Sequence, residues 1–446
     1  MDQLKTHTVD LSESKTRMTT LKFIGVFCGL LVSLLAQAQD VPTPAPKQAK
    51  PILLVNATVH TATGKVLEKT SVVVVDGKIT EIGANVSAFK DAETFDLTGK
   101  HLWPGLIAPS TTLGIDEIEA VRSTDDTQET GAHNPNARSI IAYNTDSRVI
   151  PTVRSNGILL AQVAPQGGLF SGTSSVVQLD AWTWEDAAYK LDDGVFLNFP
   201  SMGVSSAWWM PPAEEQRKHN EAMLKRLYAA MDEARAYAAQ RKAGPVPQTD
   251  ARWEALLPVF DGTKPLFIRA DGEREIQAAV AFARTYAVRM VLVGGNEAAQ
   301  CITLLKAEGI PVILHRSHRL PNNEDDPVDQ AFSLPKQLQD AGILFCIAEA
   351  SHWQNRNLPF EAGTAAAYGL TPEQALASVS LNTAKILGIA DRTGSIEVGK
   401  DANLLVTSGD LLDMRTAAVE MAFIQGRKID LGNKQKDLAK KFGGRE

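Results

Sequence analysis

Short β-branched runs sit near both ends of this 446-residue chain, and strands alternate with helices between them. Sustained alternation of that kind predicts a (β/α) barrel. Strands are expected at 157–163, 266–268, 290–293, 311–314 and 343–348. Helices are expected at 214–242, 273–287, 297–308 and 334–340, with a helical close over 359–369 and 371–387. A Gly/Ser-rich loop is expected at 167–175. Before this region come β runs at 52–59, 71–75 and 78–83, the last two joined by Asp76-Gly77, a strong hairpin signal. After it, 394–406 reads as a short strand, a Gly-Lys-Asp turn and an apolar strand. A last hairpin is expected over 419–429 through Gln425-Gly426.

The N-terminal residues read as an export signal. Lys22 precedes the apolar run Phe23 to Leu35, and Ala36-Gln37-Ala38 follows as a cleavage site. Residues 1–38 are therefore expected to be a signal peptide and 39–50 a linker, with the mature chain periplasmic or secreted. Thirteen apolar residues fall short of the roughly 20 that span a bilayer, so no membrane span is expected after cleavage. The net charge of −7 argues against a phosphate-tracking, nucleic-acid-binding protein. Cys301 and Cys346 are too few and too separated for a disulfide framework, and both are expected to be buried.

Residues 102–114 read Leu-Trp-Pro-Gly-Leu-Ile-Ala-Pro-Ser-Thr-Thr-Leu-Gly. This resembles the Pro-Gly-Leu-Ile-Asp-x-His-x-His signature of the amidohydrolase superfamily, closest to its imidazolonepropionase-like branch. The run Gly394 to Ala402, following Leu381 to Gly388, resembles the C-terminal part of the same superfamily. The resemblance implies a TIM-type (β/α)8 barrel over 106–391. It also implies a composite β-sandwich built from both chain ends, 51–105 and 392–431. In such barrels a metal-held hydroxide attacks a carbonyl carbon at the C-terminal ends of the strands.

Most ligand positions implied by the resemblance hold other residues. Ser110 and Thr112 stand where the first-strand histidines would be, and neither hydroxyl is a usual ligand for catalytic Zn²⁺. The 157–163 strand contains no bridging Lys. Arg269 replaces a strand-end His; a guanidinium offers no acceptor, but it can grip an anion or pair with a neighbouring carboxylate. Arg269, Asp271 and His318 are therefore candidate substrate-binding residues. His315 is the candidate metal ligand, with at most one divalent metal such as Zn²⁺, or none. Glu349 stands at the last strand, where the resemblance places a proton-transferring Asp, and His352 lies beside it; both are candidate catalytic residues. The loop 167–175 offers N–H groups suited to an oxyanion. Asp116, Glu117, Asp125, Asp126, Glu129 and His133 follow the first barrel strand on a polar loop, either solvated or supplying replacement ligands. Trp182, Trp184, Trp208 and Trp209 read as core or lid packing, with a pocket wall as the alternative.

Two functional expectations follow from the resemblance. One is a hydrolase of non-peptide carbon–nitrogen bonds, of cyclic-amide type, with a rearranged or degraded metal site. The other is a catalytically inactive barrel that binds a small anionic ligand or an active partner subunit, assembled with itself or with such a homologue.

Overall fold

The structure, a computed structural model, describes residues 43–321, 326–349 and 351–444. The fold is that of the compact unit Pro44–Glu446. The expected signal peptide lies outside the described residues.

Five strands open the fold: β1 (Ile52–His60), β2 (Val66–Val75), β3 (Lys78–Gly83), β4 (Glu93–Asp96) and β5 (His101–Pro104). The β2–β3 hairpin turns on Asp76 and Gly77, both with left-handed φ (50° and 77°). That geometry matches the right-handed twist of the flanking strands. Gly77 has a second reason to lack a side chain, since a Cβ there would meet the Gln425 carbonyl oxygen at 2.8 Å. Residues 44–50, read as a linker, have no regular structure, yet they are tied down: Gln48 donates to the Val74 carbonyl and accepts from the Gly77 N–H.

The barrel strands follow: β6 (Leu106–Thr111), β7 (Ile158–Val163), β8 (Phe170–Gln178), β9 (Ala188–Asn198), β10 (Leu266–Ala270), β11 (Met290–Gly294), β12 (Val312–Leu314) and β13 (Phe345–Ile347). They form one eight-stranded sheet in chain order. Pairing is parallel except at β8, which runs antiparallel to both neighbours. The sheet is a TIM-type barrel in which an up-and-down hairpin replaces one β/α step. The helix Leu381–Ile386 packs against both β6 and β13, and Ile107 N–H donates to the Val379 carbonyl, so this segment covers the seam between first and last strand.

The hairpin overturns the loop expected at 167–175. From Phe170 onward that segment is buried strand, and its N–H groups pair with β7 and β9 instead of waiting for an oxyanion. Its small residues suit this crowded place. A Cβ on Gly172 (φ 144°) would meet the Ala137 carbonyl oxygen at 2.5 Å. The hydroxyls are satisfied internally, Thr173 donating to the Pro135 carbonyl and Ser174 to Asp193.

The chain ends with β14 (Leu404–Thr407), β15 (Val419–Ile424) and β16 (Arg427–Lys428). These join the opening strands in a second sheet, ordered β16-β15-β14-β5-β1-β2-β3, with β4 also on β1. It is one continuous sheet drawn from both ends, with its own core around Leu54, Val72, Ile79, Leu102, Leu404 and Phe423. Asp180, just beyond β8, is a fixed point between the two sheets. It accepts from Arg154, from Arg427 on β16 and from the Ala45 N–H.

Cys301 and Cys346 are buried, as expected. The tryptophans divide, and Trp184 packs against the barrel core. Trp208 and Trp209 are 89% and 69% exposed, and Trp182 is 64% exposed, so none of the three is core. The first two lie in the irregular stretch between β9 and the helix Ala213–Ala243, where no element covers them.

Candidate active site at the barrel mouth

The C-terminal ends of the strands define the mouth, and β6 reaches it through a distortion. Ser110 has φ 49°, and the β6–β7 register shifts between Ala108 and Thr111. A non-glycine residue in this region is uncommon, and bulges of this kind re-aim side chains near functional sites. Gln162 fixes the bulge: its Oε1 accepts from the Ser110 N–H at 3.1 Å, while its Nε2 donates to Asp193 at 2.8 Å. Asp193 also accepts from Ser174 at 2.7 Å. Its carboxyl meets only neutral hydrogen-bond donors, and burial pushes it up to about 6.

Arg269, at the end of β10, is the most informative side chain of the mouth. Its Nη1 donates to Ser171 (3.2 Å) and Asn198 (3.1 Å), and its Nη2 to the Pro165 carbonyl (2.9 Å). The guanidinium carbon sits 4.5 Å from the centre of the Phe196 ring. Every one of these partners is neutral, and among the described residues no carboxylate pairs with it. Burial lowers it to about 10, so it stays cationic at neutral pH. Among the described residues, the ion pair held open as an alternative in the sequence is therefore not formed.

Asp271 and His315 lie close by, with Nδ1 of His315 3.8 Å from Asp271 Oδ1. Burial lowers the His315 pKa, Asp271 opposes the shift, and the charges of Arg269 and Arg319 reinforce it. A histidine facing two guanidinium charges is a poor metal ligand. The metal-capable group among the described residues lies elsewhere and uses a different histidine: Asp116, Glu119 and His352.

His318 is committed within the protein. Its Nδ1 is 2.9 Å from the buried Glu361, and its Nε2 is 2.6 Å from Thr364 Oγ1. Glu361 also accepts from the Ser317 N–H and hydroxyl, so it organises the whole turn after β12. Neither ring nitrogen is left for a substrate. The Glu361 hydrogen bond raises the His318 pKa; burial raises that of Glu361, but the His318 and Ser317 hydrogen bonds outweigh it and the net shift is down. The histidine's contribution to stability is complete below its ordinary 6.5 and is lost as pH rises through the higher folded value. The glutamate's is complete above 4.5 and is lost as pH falls. Urea unfolding should therefore show wild-type stability declining above pH 6.5, and His318→Gln should remove that part of the slope.

Glu349 follows β13 and is buried, and its charge acts on His318. His352 is also buried, its Nδ1 3.2 Å from Asp116 Oδ2. Asn355 fastens this segment to the end of β6, donating to Thr111 Oγ1 at 2.7 Å and to the carbonyls of Ser351 and His352. Burial raises the Asp116 pKa; His352 opposes this, while Asp125, Glu119 and Glu117 add to it.

Metal ions implied by the resemblance would sit on Ser110, Thr112 and Arg269. These residues do not fit that role. Ser110 belongs to a bulge fixed by Gln162, Thr112 offers only a hydroxyl, and Arg269 is a cation.

The amidohydrolase family model matches residues 270–429. Amidohydrolase tasK of Hapsidospora irregularis is 24% identical over 395 residues, an alignment covering 78% of this chain. The chain spans 39% of the length of that relative. An amidohydrolase from Thermotoga maritima MSB8 superposes with a TM-score of 0.72 at 24% identity, covering 85% of this chain and 99% of that one. A prolidase solved with N-methylphosphonate-L-proline superposes with a TM-score of 0.55 at 16% identity, covering 85% and 100%. At these identities the superpositions show the fold. No helix among the described residues is long and apolar enough to cross a membrane.

Proposed function

This chain belongs to the amidohydrolase superfamily, and from that premise we propose that it hydrolyses a non-peptide carbon–nitrogen bond, of cyclic-amide type, in a small anionic substrate. Arg269 carries the reading. Among the described residues its half-buried guanidinium is held only by neutral acceptors, a charge desolvated without compensation from any of them. Such a charge costs stability unless something negative joins it. A substrate carboxylate supplies the missing partner through a charge-assisted, bidentate contact. Glu349, at the end of the last strand, is the group to accept a proton from attacking water. Export to the periplasm or beyond is part of the same proposal, and N-terminal sequencing of the mature protein tests it.

Arg269→Met keeps much of the packing and removes the charge. Scanning fluorimetry against a panel of carboxylated cyclic amides should raise the melting temperature of wild type but not of Arg269→Met. The unliganded variant should melt at the same temperature as wild type or higher, because the desolvation cost is gone. Equal shifts in both proteins, or none in either, would overturn the reading.

Ser110 and Thr112, in place of two imidazoles, favour a second reading: a barrel that binds the anion, or an active partner subunit, without turnover. Binding through Arg269 with no product from any ligand of the panel would select it.

A further inference from the structure

We propose that Asp116, Glu119 and His352 form a binding site for one Zn²⁺-class divalent cation at the seam of the barrel. None of the three stands at a position that the superfamily resemblance assigns to a ligand. One ligand atom from each residue falls within 4.8 Å of the others. Ligands at about 2.0–2.2 Å around a tetrahedral ion lie somewhat closer together than that, so a small inward movement of the exposed Glu119 completes the set.

An acidic group at a surface loop is ordinarily no more than solvated. His352 makes this one different. It is 1% exposed, and neither Nδ1 nor Nε2 has a hydrogen-bond partner. The approach of Nδ1 to Asp116 is close in distance but not aligned as a hydrogen bond. Asp116 is 6% exposed, and its Oδ1 is also buried without a partner. Leaving a buried polar atom unsatisfied costs about 1–3 kcal/mol. Asp116 and His352 each bring one ligand atom to the cluster, and burying both unpartnered is costly unless a cation is what they serve.

The backbone around the two buried ligands is fixed. Asp116 forms β-bridges with Leu113 and Asp125, and Asn355 ties His352 to β6. An imidazole with carboxylates suits Zn²⁺, whereas Mg²⁺ and Ca²⁺ prefer all-oxygen sets. Three protein ligands leave a tetrahedral ion one open position, the pattern of reactive and not of structural zinc. Arg269 stands four strands away around the barrel from β6, the strand that leads to Asp116.

Isothermal titration of the full chain, stripped with EDTA and dialysed, tests this with ZnCl₂ and with MgCl₂ as control. Wild type should bind one equivalent of Zn²⁺ and show no heat with Mg²⁺. Glu119→Gln changes an exposed side chain and should fold normally, yet weaken Zn²⁺ roughly tenfold or more. His352→Gln should abolish binding. Co²⁺ should give visible bands of a four-coordinate ion in wild type and lose them in Glu119→Gln. No Zn²⁺ binding by wild type would overturn the proposal and leave Asp116 and His352 as a simple buried pair. Zn²⁺ binding that neither variant alters would place the ion elsewhere and overturn it equally. None of these readouts needs turnover or Arg269, so failure of the metal site and failure of the proposed hydrolysis are separable.

Discussion

Asp180→Ala should lower the unfolding free energy by about 3–5 kcal/mol, the usual cost of removing one partner from a buried ion pair. Asp180 is 3% exposed and faces two guanidiniums, Arg154 at 2.6 Å and Arg427 at 2.8 Å. Its removal strands two cations, one in the helix Ile150–Arg154 and one on β16. The Ala45 N–H loses its acceptor as well, which frees the segment ahead of β1. Asp180→Asn keeps shape and one side-chain oxygen, which can still accept from one of the guanidiniums, and should cost less. Denaturant unfolding of the three proteins checks the order. If Asp180→Ala were as stable as wild type, the remaining contacts between the sheets, such as Tyr189 to Asp401 and Arg427 to Gln178, would suffice without it.

What the sequence revealed of this arrangement depended on how local each signal was. Asp76-Gly77 and Gln425-Gly426 announce their hairpins because the turn chemistry sits inside the turn itself, and both pairs have the left-handed φ that this requires. The helix Glu273–Tyr286 was legible from its buried stripe of Ile276, Ala279, Val280 and Ala283. The β8 strand was not, because Ser, Thr and Gly are turn formers in isolation, and only neighbours such as Pro135 and Asp193 make their hydroxyls acceptable in a core. Trp208 and Trp209 were hard to place for the opposite reason: large apolar residues usually find cover, and here the stretch before Ala213 provides none.

The site divides in the same way. Residue types at strand ends were readable, so Arg269, His315 and Glu349 could each be placed at the end of a strand. Their partners were not, because Arg269 meets Pro165, Ser171 and Asn198 only after β7, β8 and β9 have paired. His318 shows the reverse case. In sequence it is a histidine at a strand end, and the buried Glu361 that occupies it lies on a helix further along the chain. Asp116 and His352 come from opposite ends of the barrel's sequence and meet only because β6 and β13 border one seam.

On the proposed hydrolysis, Glu349→Gln should lower kcat by roughly 10²–10⁴-fold, the range for loss of a general base. Glu349 is 4% exposed and sits one residue beyond Ala348, whose N–H still bonds to the Leu314 carbonyl, so its backbone continues the barrel wall. A base on a rigid strand end is pre-positioned, and Gln keeps the shape while removing the proton acceptor. KM should change little, because the substrate's charge is held by Arg269 on the other side of the mouth. Arg269→Met should give the complementary pattern, a raised KM with a smaller effect on kcat. Steady-state kinetics of both variants, with pH profiles, separates the roles. Turnover unchanged in Glu349→Gln would exclude it as the base. A parallel loss of kcat and of the melting temperature would instead show that its buried carboxylate supports the fold around His318.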